Sequence, residues 1–540
     1  MYIKVNKQKN KDGSLRQYIQ VARSFRVNKK QVRQETLCTL GRLEDLQEGD
    51  LDTLIEGLAK FSDRYFERIH GKGNLPISIH WTKDFGPAFI FRKIWEKLNL
   101  KGFLQRAIED THIVSHLDEA IFAMVLNRLM APSSKYGLFR QWVQTIYAQG
   151  LSELQLHHYY RALDFLTEQK ESMEQHLFGQ LTDLLNLEVD LVFYDTTSSY
   201  FEGDGPEELA EYGYSKDHRG DRKQVVIGLL MTKQGIPVAH QVFPGNLHDT
   251  KTFSLVIQDL KSRFQVDKVI LVGDRGMVSE TNLEEIRKLD MEYIVGVKLR
   301  KSKKAQQLLS IRGRYTQVKK NLEIKSAKID GDTYVLCYNP DGAERDKISR
   351  DIVLEKLRKK ITELGPTGLV KNRAYSKFLT IDKAAASIDE EKIKEDARFD
   401  GKYAVRSNSS LSAQEIALAY KQLWRVEAAF RDLKQNLDLR PMYHRTEDRV
   451  RGHIMICFLA LVLESFMRLK LKESGSTSSY SQVMHDLEQL KVSKVLTEGK
   501  EVVVRNELTG QAFDAFKALG TQVPPRILEG GESIEEPATE

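Results

Sequence analysis

The chain has 540 residues, of which 41% are hydrophobic and 29% are charged, and its formal net charge is +6 at pH 7. This length exceeds what one hydrophobic core usually supports, so we expect several domains. Three cysteines without a Cys-x-x-Cys pair argue against a disulfide framework or structural zinc. The longest apolar run, Ile454–Leu463, is too short to span a bilayer. We therefore expect a globular, cytoplasmic protein with no membrane partner.

Positive charge is concentrated at the start of the chain. The first 42 residues carry eleven Lys or Arg against only Asp12 and Glu35, an excess larger than the net charge of the whole chain. Alternating apolar and basic residues predict strands at Tyr2–Val5, Leu15–Phe25 and Gln31–Leu40, with a turn at 27–30. We interpret 1–75 as a basic β-rich DNA-binding region. The alternative is a solvated edge hairpin that lysines protect from aggregation.

The next segments change periodicity twice. Residues 76–187 are predicted to form an all-helical module, because apolar residues recur there at helical spacing. After it, strands are predicted at 190–196, 224–231, 236–243, 268–273 and 293–298, with helices at 250–263 and 279–289. Three strands, helix, strand, helix and strand is the order of a ribonuclease H-like core, in which the first and fourth strands end side by side. We predict an α/β fold with such a catalytic core, its first part at 188–299.

Residues 300–400 interrupt this pattern and are predicted to be a mixed insertion, with a strand at 333–338 and a helix at 352–364. Near its start, 296–320 holds nine Lys or Arg and no acid. We interpret Lys303 and Lys304 there as phosphate contacts, with a solvated face as the alternative. The core is expected to resume at 401–470 with a strand at 402–406. Residues 471–540 are predicted to be a C-terminal helical region with an acidic tail.

Two aspartates are predicted to close apolar strands, Asp195 in Val-Phe-Tyr-Asp-Thr-Thr and Asp274 in Ile-Leu-Val-Gly-Asp-Arg-Gly. A carboxylate at the end of a buried strand is costly unless it meets water, a helix cap or a cation. Farther along, one amphipathic helix predicted at 412–437 presents Glu427 beside its apolar stripe. The alternative for Glu427 is an ion pair with Arg431 on a solvated surface.

Three carboxylates are the usual minimal set for two Mg²⁺ ions in phosphoryl transfer. We predict that Asp195 bridges both metals, that Asp274 and Glu427 each complete one site, and that Mn²⁺ substitutes for Mg²⁺. Phosphate contacts are predicted for side chains near the cut and in the basic hairpin, namely Tyr420, Arg431, Lys434, Arg23, Arg26, Lys29 and Lys30. His240, His248 and Asp249 lie near the core strands, and a helix cap is the favoured role for Asp249.

Five segments carry a family resemblance: 194–197, 213–217, 244–249, 273–276 and the series Tyr420, Glu427 and Lys434. Together they resemble bacterial insertion-sequence transposases of the DDE type, in the subgroup with a Tyr-x2-Arg-x3-Glu-x6-Lys helix. The resemblance covers roughly 187–463. It implies Mg²⁺-dependent cut-and-paste or related transposition, double-stranded DNA partners (element ends and target), a homodimer assembled on DNA, and a place at the bacterial nucleoid. Leu423 stands where the subgroup has arginine, and Arg431 is the better geometric substitute.

Two other functions compete with a transposase. The first is a DNA-binding regulator derived from a transposase without catalysis, which binding without nicking would favour. The second is a carboxylate-pair glycosidase, which requires an acid and a base flanking a sugar site. Basic segments, and the lack of an aromatic cluster beside Asp195 or Asp274, argue against the glycosidase.

Overall fold

The structure is a computed structural model, and it describes residues 2–9, 15–28, 31–45, 78–109, 116–185, 191–264, 270–276, 279–300, 303–310, 313–363, 372–382, 385–497 and 500–529. The chain divides into two compact units. One comprises 1–81, 494–503 and 529–540, and the other comprises 82–493 and 504–528. Within the described ranges, every helix is too short or too polar to cross a membrane.

The N-terminal sheet has the three strands that the alternation predicts. β1 (Tyr2–Lys9), β2 (Leu15–Asn28) and β3 (Gln31–Arg42) pair antiparallel in that order. Each runs longer than predicted, because main-chain pairing continues through polar residues such as Lys9, which lies opposite Leu15. Among the described side chains of this sheet, Ile19 and Ala22 are the buried ones.

The predicted all-helical module is helical over most of its described length but begins with a strand. After strand β4 (Ser78–Asp84), the described chain forms helices at Gly86–Lys97, Leu100–Glu109, Leu117–Met130, Lys135–Arg140, Leu156–Glu168 and Lys170–Leu185. Its apolar residues, such as Leu117, Ile121 and Val125, are fully buried. A later helix, Glu447–Glu473, packs against Leu117–Met130 and Leu156–Glu168, so this module shares a core with the far end of the chain.

The central sheet carries the strands predicted for the catalytic core. They are β5 (Leu191–Tyr200), β6 (Gln224–Thr232), β7 (Pro237–Pro244), β8 (Ile270–Gly273) and β9 (Glu292–Val297), with helices Asp249–Phe264 and Glu280–Lys288 between them. β5 pairs antiparallel with β6 and parallel with β8, and β8 pairs parallel with β9. The predicted adjacency of the first and fourth strands is confirmed. The Ser279 hydroxyl oxygen caps the second helix by accepting from the main-chain N–H of Asn282.

The insertion adds strands to this same sheet. It contains β10 (Thr316–Lys319), β11 (Leu322–Ile329) and β12 (Asp332–Tyr338), a small hairpin of β13 (Leu379–Asp382) and β14 (Ala385–Ile388), and helices Lys303–Leu309, Pro340–Glu363, Arg373–Ser376 and Glu390–Ala397. β15 (Lys402–Ser407) lies between β12 and β9 and is antiparallel to both. The result is a mixed sheet of nine strands in the order β10-β11-β12-β15-β9-β8-β5-β6-β7.

The single helix predicted at 412–437 is wrong, because the structure has two helices there. The Tyr420 helix spans Ala413–Lys421 and the Glu427 helix spans Trp424–Gln435. Between them, Leu423 N–H donates to the Tyr420 carbonyl and Val426 N–H donates to the Leu423 carbonyl, a tighter three-residue spacing. This tightening changes the rotation per residue, so the predicted continuous stripes do not run across the junction.

The C-terminal part mixes helices and strands. After the helix Glu447–Glu473 come the helices Tyr480–Glu488 and Ala512–Leu519 and the strands β16 (Lys491–Thr497), β17 (Lys500–Arg505) and β18 (Ile527–Glu529). The predicted acidic tail beyond residue 529 lies outside the described residues.

Candidate active site

Asp195 and Asp274 lie where one strand of the central sheet stops beside a longer neighbour. Pairing of β5 with parallel β8 ends at Tyr194 and Gly273, so Asp195 and Asp274 are the next residues on the two strands. β5 itself continues to Tyr200, because it still pairs with β6. The prediction that a strand ends at Asp195 is therefore wrong, whereas Asp274 does follow the last residue of β8.

The Asp195 carboxylate is partly desolvated among other acids. Its side chain is 17% exposed. Burial raises the pKa of Asp195 to about 6; the nearby carboxylates of Asp274 and Asp249 add to this rise, and Lys216 opposes it. The Thr196 main-chain N–H donates to Asp195 Oδ1 at 2.7 Å and fixes one of its oxygens. A carboxylate with this environment gains from a nearby cation.

Lys216 supplies such a cation from the loop between β5 and β6. Its Nζ lies 3.8 Å from Asp195 Oδ1 and 3.6 Å from Asp249 Oδ2. It also donates to the Thr196 carbonyl at 2.7 Å and to Thr196 Oγ1 at 2.9 Å. Thr196 Oγ1 in turn donates to Asp249 Oδ1 at 2.6 Å. The described bonds to the Asp249 carboxylate thus come from across the site, which differs from the helix-cap role favoured by the sequence.

The loops that carry Lys216 and Asp249 are locked together by Gln224. Its Nε2 donates to the carbonyls of Tyr214 and Gly245, at 3.1 and 2.8 Å. A Cβ on Gly213 would lie 2.0 Å from the Gly245 carbonyl oxygen, and one on Gly245 would lie 2.0 Å from the Gln224 carbonyl oxygen. Glycine is required at both positions because the backbones approach this closely.

Tyr420 connects its helix to the second aspartate. Its hydroxyl donates to Asp274 Oδ1 at 3.2 Å, and burial together with Asp274 raises the pKa of Tyr420. A Cβ on Gly296 of β9 would lie 2.3 Å from the Tyr420 hydroxyl oxygen. Gly296 therefore leaves the space through which Tyr420 reaches Asp274. The sequence analysis predicted a contact between this hydroxyl and a DNA phosphate instead.

Glu427 lies in the first turn of a helix that packs against β5 and β6. Its side chain is exposed, and within the described chain it makes no hydrogen bond or ion pair. The alternative of an ion pair with Arg431 is therefore not seen. Among the residues that the structure describes, no three His, Cys, Asp or Glu side chains form a group that could hold a metal ion. Glu427 remains a predicted ligand.

Lys434 is held by a buried carboxylate. Its Nζ donates to Asp217 Oδ1 at 2.7 Å, and Arg440 pairs with the same oxygen. The Asp217 side chain is 4% exposed, and its Oδ2 is buried without a hydrogen-bond partner among the described residues. Burial lowers the pKa of Lys434, against the opposing effect of Asp217. This pair fastens the Glu427 helix to the loop that carries Lys216.

The missing arginine of the family pattern has a structural explanation. Leu423 is buried at the junction of the two helices, where a charged side chain would be desolvated. Arg425 lies against the β6–β7 turn and donates to the Gln234 carbonyl at 3.4 Å. Arg431 is exposed on the Glu427 helix. Of these two arginines, only Arg431 is exposed to solvent, as the substitution hypothesis requires.

The predicted DNA contacts outside the core are only partly described. Arg23 is exposed and forms an ion pair with Glu35 at 2.8 Å. Arg26 is part of β2, and Lys303 and Lys304 begin a helix, but their side chains lie outside the described part of the chain. Lys29 and Lys30 lie outside the described residues altogether.

A cavity of about 350 Å³ lies beside the end of the site that carries Asp249. Its lining includes Thr196, Lys216, Asp249 and the exposed side chains of Tyr214 and His248. His240, by contrast, is fully buried on β7, where its Nδ1 lies 2.8 Å from Glu174 Oε1. His248 thus stays next to the site, whereas His240 belongs to the packing of the helical module against the sheet.

Sequence reasoning missed the roles of Lys216 and Asp217. Both stand in the quoted segment Gly213-Tyr214-Ser215-Lys216-Asp217. An adjacent acid and base in a loop is ordinarily a solvated pair, and nothing in the local pattern shows that the two side chains diverge. The available signal was the glycine at the start of the segment, since it indicates a close backbone contact.

Two family models match the sequence of this chain. The family model described as transposase DDE domain matches residues 190–463, just over half of the chain. The model for the N-terminal domain of IS1634 family transposases matches residues 3–69. Comparison with curated protein sequences found no match.

Among solved structures, the chain resembles a piggyBac transposase synaptic complex with hairpin DNA, at a TM-score of 0.38 and 9% identity over 74% of this chain and 77% of that one. It also resembles a Mos1 transposase paired-end complex with the left transposon end, at a TM-score of 0.15 and 12% identity over 45% and 71%. Likenesses this distant fix neither the fold nor the site. The two family matches are the stronger finding, and by them the chain belongs to the DDE transposase family and is a DNA transposase with an IS1634-type N-terminal domain.

Proposed function

We propose that this transposase hydrolyses a phosphodiester bond at the ends of its element and joins the freed 3′-hydroxyl to target DNA. Asp195, Asp274 and Glu427 are the proposed ligands of two Mg²⁺ ions, with Mn²⁺ as a substitute. One observation carries the proposal. Asp195 and Asp274 follow directly on paired residues of two parallel strands, and their carboxylates interact electrostatically. Strand pairing thus brings together two acids that are 79 positions apart in the chain.

The residues present suit a hard divalent cation. Asp195 and Asp274 offer carboxylate oxygens, the ligand type that Mg²⁺ prefers, and Asp249 is a third acid that interacts with Asp195. Burial and mutual repulsion make the ionised form of Asp195 unfavourable without a counter-charge. The Lys216 ammonium already lies between two of these acids, so the site accepts positive charge. When bound, the metal ions would activate the attacking oxygen and neutralise charge on the phosphate.

The protein's own groups hold the ligands in place. The Thr196 N–H fixes Asp195 Oδ1, and the Tyr420 hydroxyl donates to Asp274 Oδ1. The pairing of Lys434 with Asp217 fixes the helix that presents Glu427. Ligands held in this way lose less conformational freedom when they bind an ion.

The finer fold assignment is a ribonuclease H-like core. The strand order β7-β6-β5-β8-β9 supports it, together with an antiparallel β5–β6 pair and parallel β5–β8 and β8–β9 pairs. The adjacent ends of β5 and β8 are what the sequence analysis expected of the first and fourth strands of such a core. The insertion 300–400 enlarges this sheet and leaves the pairings among its five core strands unchanged.

The subgroup with the Tyr-Arg-Glu-Lys pattern is likewise a proposal. Tyr420, Glu427 and Lys434 keep the intervals of that pattern. The exposed Arg431, one helical turn after Glu427, supports its role as the replacement phosphate ligand. Lys434 would have to exchange Asp217 for a phosphate if it serves as the pattern implies.

Metal-dependent cleavage is tested with the substitutions Asp195→Asn, Asp274→Asn and Glu427→Gln on cognate ends. We expect loss of Mg²⁺-dependent nicking in all three and nearly unchanged end-binding, because the basic contacts remain. Retained nicking in any of them would refute its assignment as a ligand. Binding without nicking by the unaltered protein would favour the regulator, the second hypothesis.

Double-stranded DNA is the proposed partner of the basic N-terminal sheet, and a homodimer on paired ends at the nucleoid is the proposed assembly. Contacts from Arg23, Arg26, Lys29 and Lys30 release counterions, so affinity should fall steeply with salt. Changing Arg23, Arg26 and Lys29 to Ala should lower the slope of log affinity against log salt by about one unit per lost contact. An unchanged slope would remove this sheet from the interface. Sedimentation of the complex on paired ends measures its stoichiometry.

A further inference from the structure

Lys216 is held as firmly as the acids around it. Its ammonium lies within 4 Å of four oxygens, contributed by Asp195, Asp249 and Thr196. Its main-chain N–H donates to Ser198 Oγ at 2.8 Å, which ties the loop to β5. A freely rotating surface lysine pays side-chain entropy for each contact, whereas this one is fixed from both ends of its side chain.

The next residue anchors the loop from the other side. Asp217 binds Lys434 of the Glu427 helix and Arg440 behind it. The two neighbouring side chains therefore diverge, with Lys216 directed to the aspartates and Asp217 to the helix. A displacement of Lys216 would have to bend a loop that is held at Ser198, Gln224 and Lys434.

Resting on the proposed function, we propose that Lys216 is a positioning residue that acts as an internal cation. In the metal-free protein it neutralises Asp195 and Asp249 and keeps their oxygens from moving apart. A divalent ion that binds Asp195 must then overcome the repulsion of this ammonium. Lys216 thereby lowers metal affinity before DNA is bound while it preserves the geometry of the ligands.

The physical basis is the short range of these contacts. Two unit charges about 4 Å apart interact strongly at the effective dielectric constant of a partly buried site, and the interaction energy doubles for a divalent ion. Partial movement of the Lys216 side chain away from a bound ion strongly reduces this repulsion. A measurable change of about five- to tenfold in metal affinity remains the expected scale.

The test is Mn²⁺ binding to the full-length, DNA-free protein at pH 8.5, followed by electron paramagnetic resonance and calorimetry. That pH lies well above the Asp195 pKa of about 6. Lys216→Met should bind Mn²⁺ about five- to tenfold more tightly than the unaltered protein. Lys216→Arg retains the charge and should bind within about twofold of it. The matched control is Lys251→Met, an exposed lysine two residues after Asp249.

Thermal unfolding supplies a second readout. In EDTA, Lys216→Met should melt below the unaltered protein, because the repulsion between Asp195 and Asp249 is no longer neutralised. Mn²⁺ should raise its melting temperature by more than it raises that of the unaltered protein. Should Lys216→Met fail to fold, Lys216→Gln replaces it, since its amide can still donate to the Thr196 carbonyl.

Two results would overturn the proposal. One is Mn²⁺ affinity that is unchanged or weakened in the neutral variants. The other is an equal gain in Lys251→Met, which would show a general effect of net charge. The Asp195→Asn variant distinguishes failure of the proposed metal site from failure of the proposed role of Lys216. If it does not weaken Mn²⁺ binding, the metal assignment itself fails; if it does and Lys216→Met leaves affinity unchanged, only the role of Lys216 fails.

Discussion

The two aspartates and the glutamate helix are built in different ways. Asp195 and Asp274 follow paired residues on neighbouring strands, so backbone hydrogen bonds fix their separation. Glu427 stands on a helix that side chains hold in place, through buried Val426, Phe430 and Leu433 and through the pairing of Lys434 with buried Asp217. Its own carboxylate is exposed and makes no described bond. Backbone pairing thus sets the separation of two proposed ligands, whereas side-chain packing and an ion pair position the third.

The largest expected effect is on the cleavage rate, and metal binding then distinguishes the strand aspartates from Glu427. Asp195→Asn and Glu427→Gln should each lower Mg²⁺-dependent cleavage by roughly a thousandfold or more, since several kcal/mol of charge stabilisation is lost. Only Asp195→Asn should weaken Mn²⁺ binding to the DNA-free protein. Calorimetry on both variants makes the measurement. Equal loss of Mn²⁺ binding in the two would show that the helix already contributes to the site without DNA and would break the comparison.

The next prediction concerns the ion pairs of Asp217 with Lys434 and Arg440. Asp217→Asn leaves Lys434 and Arg440 without their carboxylate, and loss of a buried partner typically costs about 3–5 kcal/mol of unfolding free energy. Urea unfolding of Asp217→Asn, Lys434→Met and the double variant measures the coupling between the two residues. The double variant should lose less stability than the sum of the single variants.

A matched control is the exposed pair of Lys394 and Glu391, whose ammonium and carboxylate lie 2.9 Å apart. Glu391→Gln should leave the urea unfolding midpoint nearly unchanged, because exposed ion pairs are screened by water. A similarly small effect in Asp217→Asn would mean that the helix is held by something other than this pair.

The pH dependence of the unfolding free energy tests the burial of Asp195 at the sheet. Burial raises the pKa of Asp195 from 3.8 to about 6, so the native state favours the protonated acid. This contribution is fully present below about pH 4 and is lost as the pH rises through about 6, roughly 3 kcal/mol in total. The difference in unfolding free energy between the metal-free unaltered protein and Asp195→Asn, measured from pH 4 to 8, should follow that curve. If the unfolding free energies of the two proteins change in parallel with pH, Asp195 is solvated in the native state.

The smallest expected effect concerns the hydrogen bond between Tyr420 and Asp274. Tyr420→Phe removes the hydroxyl that donates to Asp274 Oδ1, and such a bond contributes about 1 kcal/mol. Urea unfolding measures the loss, with the 70%-exposed Tyr443 changed to Phe as the control. A Tyr420→Phe variant as stable as the control would indicate that Asp274 is held by the strand alone.

Much of the sheet was predictable because its strands are apolar runs separated by helices and turns. The extent of β5 was not. Thr196, Ser198 and Ser199 resemble a loop in sequence, yet they are buried and continue the pairing with β6. Their burial is a tertiary property, since it depends on strands and loops far away in sequence.

The helix junction and the lysine escaped prediction for related reasons. Gln422 and Leu423 are good helix formers with neither Gly nor Pro beside them, so no local signal marks the change of rotation between the two helices. The role of Lys216 depends on where its loop folds back onto β5. The acids could be proposed from sequence alone because charged residues next to buried strands are rare enough to need a reason.

The inserted strands have a consequence for anyone who shortens this protein. β12 of the insertion forms a full antiparallel ladder with β15, the strand that immediately precedes the Tyr420 helix. Deleting 300–400 would strip β15 of that partner and leave a row of unpaired amides and carbonyls, a template for aggregation. A trimmed version would therefore need a new edge, for example a proline or an inward-facing lysine on β15, before it would stay monodisperse.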